Sequence, residues 1–108
     1  MKIVIIGLGK MGESHLKSFL NSKKNYEIDI VDIKKNKFNA LKGIKNISFY
    51  QNIPNKKKYD LAIIATSSVG KFKLVNYLLN NNEVSFLLLE KITFSEVDEY
   101  QKALKITL

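Results

Sequence analysis

The sequence has no cysteine, no tryptophan, no arginine, one histidine and one proline. Without cysteine there is no disulfide scaffold, no thiol nucleophile and no cysteine-ligated zinc or iron–sulfur centre. The lone histidine, His15, offers too few ring nitrogens for a multi-histidine metal site and reads as a packed helix residue. No apolar run approaches the ~20 residues of a membrane span. One lysine and four apolar residues before Gly7 are too short for a signal-peptide core. A cytoplasmic protein is the expectation. All 18 basic residues are lysine, and the net charge is +8. Arginine is the usual bidentate reader of guanine and clamp on phosphates, so nucleic-acid binding is not the expectation. Eleven asparagines and thirteen isoleucines accompany the lysines, and most of the charge reads as filling of solvated positions.

What remains is an ordinary globular composition, 45% apolar and 26% charged, over 108 residues. That is one domain, residues 1–108, able to bury about two-thirds of its unfolded surface. Apolar runs alternate with helical stretches. Ile3 to Ile6 is continuous and β-branched, as in a strand buried on both faces. Lys10 to Ser22 carries Met11, Leu16, Phe19 and Leu20 on one helical stripe. Glu27 to Ile33 alternates and holds Asp32 near its end, predicting a second strand. Lys34 to Lys42 predicts a short helix with Phe38 and Leu41 inward, stopped by Gly43. Ile47 to Tyr50 reads as a third strand, Leu61 to Ala65 as a fourth and Val84 to Leu89 as a fifth. Phe72, Val75, Leu78 and Leu79 stripe the helix between the last two. Thr93 and Glu96 make a capping box for a final helix. Alternation of this kind predicts an α/β fold, a doubly wound parallel sheet in the order 3-2-1-4-5.

Gly7-Leu8-Gly9-Lys10-Met11-Gly12 is a G-x-G-x-x-G turn between a strand and a helix. In that context Gly7 permits the tight turn, Gly9 lets a pyrophosphate approach the backbone, and Gly12 allows close helix packing. The pyrophosphate would rest on the helix N-terminus. Asp32 stands 20 residues beyond Gly12, at the end of the second strand. A carboxylate there accepts hydrogen bonds from ribose hydroxyls and repels a 2′-phosphate. Asp32 and the lack of arginine favour NAD over NADP. Lys34 and Lys35 could meet a phosphate but read as the solvated start of a helix. Thr66, Ser67 and Ser68 offer hydroxyls at the end of the fourth strand, either as helix caps or as dinucleotide contacts.

Four features together resemble the N-terminal domain of the Gfo/Idh/MocA oxidoreductases, a Rossmann-fold family. They are the glycine turn followed by His15, Asp32, the run Asp60-Leu61-Ala62-Ile63-Ile64-Ala65-Thr66, and Glu90-Lys91 after the fifth strand. The resemblance covers essentially the whole chain. It implies an NAD(P)-binding domain of an oxidoreductase for sugar-like or cyclitol-like substrates. It also implies that Glu90 lies by the cofactor and that Lys91 contacts substrate and assists proton transfer. Two departures stand out. Ile92 replaces the family's proline after that lysine, and Thr66 to Lys71 lacks the family's proline and histidine. The larger α+β substrate domain of the family is not in these 108 residues. The expectation is a fragment or truncated relative of a two-domain enzyme, showing no turnover alone and taking a small-molecule substrate only with a second domain. A stand-alone NAD-binding sensor without catalysis is the alternative. The apolar fifth strand, at the sheet edge, is expected to pair with a second copy unless the last helix, Ser95 to Lys105, covers it.

Overall fold

A computed structural model describes residues 1–22, 24–66 and 71–89. Ser67, Ser68, Glu90, Lys91, the Thr93–Glu96 capping box and the expected last helix lie outside the described residues. Five strands form one sheet: β1 (Lys2–Ile6), β2 (Glu27–Val31), β3 (Ile47–Tyr50), β4 (Lys58–Ile64) and β5 (Glu83–Leu89). Their order is β3-β2-β1-β4-β5, with every neighbouring pair parallel. This is the expected doubly wound sheet. Ile3, Val4 and Ile5 of the central strand are fully buried, which is why that strand reads as an unbroken apolar run.

Two α-helices flank the sheet, α1 (Lys10–Leu20) and α2 (Lys71–Asn81), together with a 3-10 helix at Lys35–Leu41. Leu16 of α1 and Phe38 of the 3-10 helix pack with Ile3, Ile5, Ile28, Ile30 and Ile63 on one face. Val75 and Leu78 of α2 pack with Val4, Ile6, Val31, Ala62 and Ile64 on the other. The chain leaves the centre in opposite directions, from β1 to β2 and from β4 to β5. Crossovers of one hand then lay their helices on opposite faces. That reversal opens a crevice at the carboxyl ends of β1 and β4, where open α/β sheets bind ligands.

Several details depart from expectation. The buried face of α1 is Gly12, Leu16 and half-buried Phe19, while Met11 and Leu20 are 37% and 39% exposed. At 100° per residue Met11 stands to the side of the Gly12–Leu16 line, and Leu20 is the last helical residue. β2 stops at Val31, leaving Ile33 exposed. It does not alternate, because Asp29 is buried too. The Tyr59 hydroxyl donates to Asp29 Oδ2 at 2.6 Å, which makes that burial tolerable. Burial, reinforced by this carboxylate, pushes the Tyr59 phenol well above its ordinary pKa. β4 begins earlier than expected, at Lys58. β5 is only half-covered, with Val84, Leu87 and Leu89 on the core and Phe86 73% exposed.

Candidate functional site

The glycine turn is built from the strands on either side of it. Gly7 N–H donates to Val31 O at 2.8 Å, and Ala65 N–H donates to Ile6 O at 2.8 Å. Gly7 has φ +97, which side-chain-bearing residues rarely adopt. A Cβ at Gly7 would also stand 2.7 Å from Thr66 Cγ2. Gly12 is needed for a different reason. Its Cβ would fall on the carbonyl oxygen of Gly7, so α1 sits against the turn itself more closely than against the strand. At Gly9 a Cβ would meet nothing within 4 Å, so the space above this residue is open.

Gly9 is also the N-cap of α1 and brings no side-chain cap. The first intrahelical bond is Glu13 N–H to Gly9 O at 2.9 Å. The earlier first-turn N–H groups therefore have no side-chain acceptor from the cap, and they carry the positive end of an eleven-residue helix. Lys10 and Met11 flank them, both exposed. Such a terminus beside open space has the geometry of an anion site.

Asp32 follows β2 directly, and its N–H continues the ladder to Tyr50 O at 3.0 Å. Its carboxylate is tied into the turn. Oδ2 accepts Leu8 N–H at 2.8 Å, and Oδ1 accepts Lys34 N–H at 2.9 Å. The Lys37 ammonium lies 3.8 Å from Oδ2 and donates to Leu8 O at 3.2 Å. Leu8, buried at 1% exposure, is thus held at both its N–H and its carbonyl. A carboxylate has about four lone-pair directions, so both oxygens keep acceptor capacity for a ligand.

Thr66 closes the other side. Its Oγ1 is buried and has no partner among the described residues. An orphaned hydroxyl costs free energy unless something hydrogen-bonds it, so it marks a polar subsite. Between Thr66 and Asp32 runs a cleft of about 570 Å³. Its walls include Ile33, Gln51, Ile53, Leu74 and Tyr77. That size is ordinary for a small-molecule site.

The structure thus brings Gly7, Leu8, Gly9, Lys10, Met11, Gly12, Asp32 and Thr66 to one end of the sheet. Sequence reasoning missed Lys37 and the cleft wall. Leu74 and Tyr77 sit at i, i+3 on α2, beside the buried Val75–Leu78 line, and that spacing was the available signal. Lys37 carries no signal of its own among neighbouring lysines. Among the described residues no group of three acidic or histidine side chains could hold a metal ion. None of the described helices is long and apolar enough to cross a membrane.

Comparison with known proteins bears on the fold and the family. The chain is 31% identical, over 101 residues, to a glycerol-3-phosphate dehydrogenase [NAD(P)+] from Phytoplasma mali (strain AT), covering 84% of this chain and 30% of that protein. The fold is similar to that of myo-inositol 2-dehydrogenase from Lactobacillus plantarum, with TM-score 0.76, 17% identity, and coverage of 98% of this chain and 32% of that one. It is also similar to the WlbA dehydrogenase from Bordetella pertussis, solved in complex with NADH and UDP-GlcNAcA, with TM-score 0.78, 13% identity, and coverage of 99% and 34%. The chain spans about a third of the length of these proteins. The model of the oxidoreductase family with an NAD-binding Rossmann fold matches residues 1–107, and the chain belongs to that family, Gfo/Idh/MocA.

Proposed function

We propose that the site at the carboxyl ends of β1, β2 and β4 binds NAD(H), in preference to NADP(H). In this reading the chain is the cofactor domain of an oxidoreductase for sugar-like or cyclitol-like substrates. The observation that carries the reading is the uncapped N-terminus of α1, which opens onto the empty space above Gly9 beside the Asp32 carboxylate. The pyrophosphate would lie over Gly7 to Gly12 and accept from the first-turn N–H groups. The adenosine ribose would donate to Asp32. The adenine would enter the apolar cleft between Ile53, Leu74 and Tyr77. The orphaned Thr66 hydroxyl would gain a partner, with Ser67, Ser68 and Glu90 as further contacts. The nicotinamide supplies hydride transfer when bound, and the protein supplies position. Lys91 is assigned the substrate contact and proton transfer, on the strength of the family resemblance.

Preference for NAD follows from the charge of Asp32, which repels a 2′-phosphate. A cytoplasmic location goes with this reading, because the cofactor is a large anion that crosses no bilayer unaided. Calorimetric titration with NADH and with NADPH tests it. NADH should bind more tightly, and Asp32→Ala should abolish the difference, a loss of about 1.5–3 kcal/mol for one charged hydrogen bond. Equal or tighter NADPH binding by the unaltered protein would refute the assignment.

A further inference from the structure

We infer that Lys37 is a specificity-determining residue of this nucleotide site: it partly offsets the charge of Asp32 and so narrows the preference for NAD(H) over NADP(H). The inference rests on the reading of the site given above. Asp32 does not stand free at the end of β2. Its Oδ2 is 3.8 Å from the Lys37 ammonium, and the Asp32 side chain is only 9% exposed. The same ammonium donates to Leu8 O at 3.2 Å, which fixes it beside the turn instead of leaving it to sweep through solvent. Leu8 N–H closes the ring by donating to Asp32 Oδ2 at 2.8 Å.

An acidic residue at this point rejects a 2′-phosphate by repulsion between like charges. Here a cation stands next to it. A ribose hydrogen-bonded to Asp32 lies ~3 Å from the carboxylate. Lys37 is then well inside the ~8–10 Å over which charges act at physiological salt. The phosphate would meet a carboxylate whose repulsion the ammonium partly offsets, in place of a bare one. Lys34 differs in kind. Lys34 engages Asp32 through its backbone N–H, so substituting its side chain leaves that bond in place. Lys37 is placed by hydrogen bond and ion pair together.

The test is titration of the 108-residue protein with NADH and with NADPH, read as the ratio of the two dissociation constants. Lys37→Met should raise the NADPH-to-NADH ratio about tenfold, the scale of one partly screened charge pair. Most of the change should lie in the NADPH constant. Lys37→Arg should return the ratio close to the original. Raising the salt concentration should shrink the difference between Lys37→Met and the unaltered protein. A ratio unchanged in Lys37→Met overturns the inference. So does an equal loss of both affinities, since Lys37 would then act only by holding the Leu8 turn. Thermal melting of each variant shows whether it is folded. Should Lys37→Met not fold, Lys37→Gln carries the same comparison. Unaltered protein that binds neither cofactor overturns the nucleotide reading itself, and this inference with it.

Discussion

Gly9 and Gly12 belong to one motif, yet the structure assigns them opposite physical roles, and alanine at each separates stability from binding. At Gly12 a Cβ would fall on the Gly7 carbonyl oxygen. That oxygen cannot easily yield, because Gly7 N–H is bonded to Val31 O and Leu8 is held by Asp32 and Lys37. Helix propensity alone would favour alanine over glycine by about 1 kcal/mol. Overpacking against fixed backbone costs about 1–3 kcal/mol. With the Cβ on a backbone oxygen held in place, the cost lies in the upper part of that range, about 2–3 kcal/mol, so Gly12→Ala should be less stable by about 1–2 kcal/mol, which lowers Tm by roughly 4–16 °C in a domain of this size. At Gly9 the backbone is extended, with φ −83 and ψ −161, and a Cβ meets no protein atom. Stability of Gly9→Ala should stay within about 0.5 kcal/mol of the original. Its methyl would instead occupy the space assigned to the pyrophosphate. Losing one charged hydrogen bond there is worth about 1.5–3 kcal/mol, at least a tenfold loss of NADH affinity. Urea unfolding and NADH fluorescence titration of both variants supply the two readouts. Gly9→Ala that binds NADH normally would remove the pyrophosphate from this turn. Gly12→Ala as stable as the parent would show that α1 does not sit against it.

Tyr59 should stay protonated well above pH 10, because burial and the Asp29 carboxylate raise its pKa in the folded protein. Its contribution to stability is then full below the unfolded tyrosine pKa of about 10 and is lost as pH rises towards the higher folded value. An alkaline titration followed by phenolate absorbance should show a step that appears only with unfolding. Tyr59→Phe should lose that step and cost about 1–3 kcal/mol in urea unfolding, since Asp29 is left buried without its donor; an unchanged titration curve would refute the assignment. Phe86→Lys on the exposed face of β5 should reduce self-association in light scattering at several concentrations, and a strict monomer in the unaltered protein would reject pairing through this strand. These 108 residues should bind NADH yet reduce no NAD with common polyols, because they span about a third of the length of the dehydrogenases they resemble in fold; turnover lost in Lys91→Ala would prove this wrong.

The sheet was legible because its strands are written in a code with little ambiguity. Ile3–Ile6 and Leu61–Ile64 are apolar on both faces, as only central parallel strands need to be. The glycine motif was legible for a related reason, since Gly7 and Gly12 are required by backbone geometry that the spacing implies. Asp29 was not legible. A carboxylate inside a strand reads as a solvent-facing residue, and its burial depends on Tyr59, thirty residues away in sequence. The side of α1 on which Met11 lies depends on where the helix begins, and boundaries are poorly encoded by periodicity. Lys37 was hidden by composition. In a chain with 18 lysines, one more on a polar helix carries no information until its ammonium is seen between Asp32 and Leu8.

That last contact also helps to hold the turn in shape. A glycine-rich loop is entropically costly to hold, because glycine loses more backbone freedom on folding than any other residue. Here the loop is pinned from three sides. Val31 takes the Gly7 N–H, Asp32 takes the Leu8 N–H, and Lys37 reaches the Leu8 carbonyl. All three residues come from β2 and the segment just after it, so the strand that presents the ribose acceptor also sets the shape of the phosphate cradle. The two halves of the nucleotide site are therefore not independent. A substitution at Asp32 made to alter cofactor choice also removes a hydrogen bond from the turn. Its effects on NADH and NADPH should carry a shared loss beneath the difference between them. At Lys37 the charge can be changed while the Leu8 N–H bond to Asp32 is left in place; the bond it gives up, to the Leu8 carbonyl, is likewise a shared loss, so at both positions the NADPH-to-NADH ratio is what reads cofactor preference.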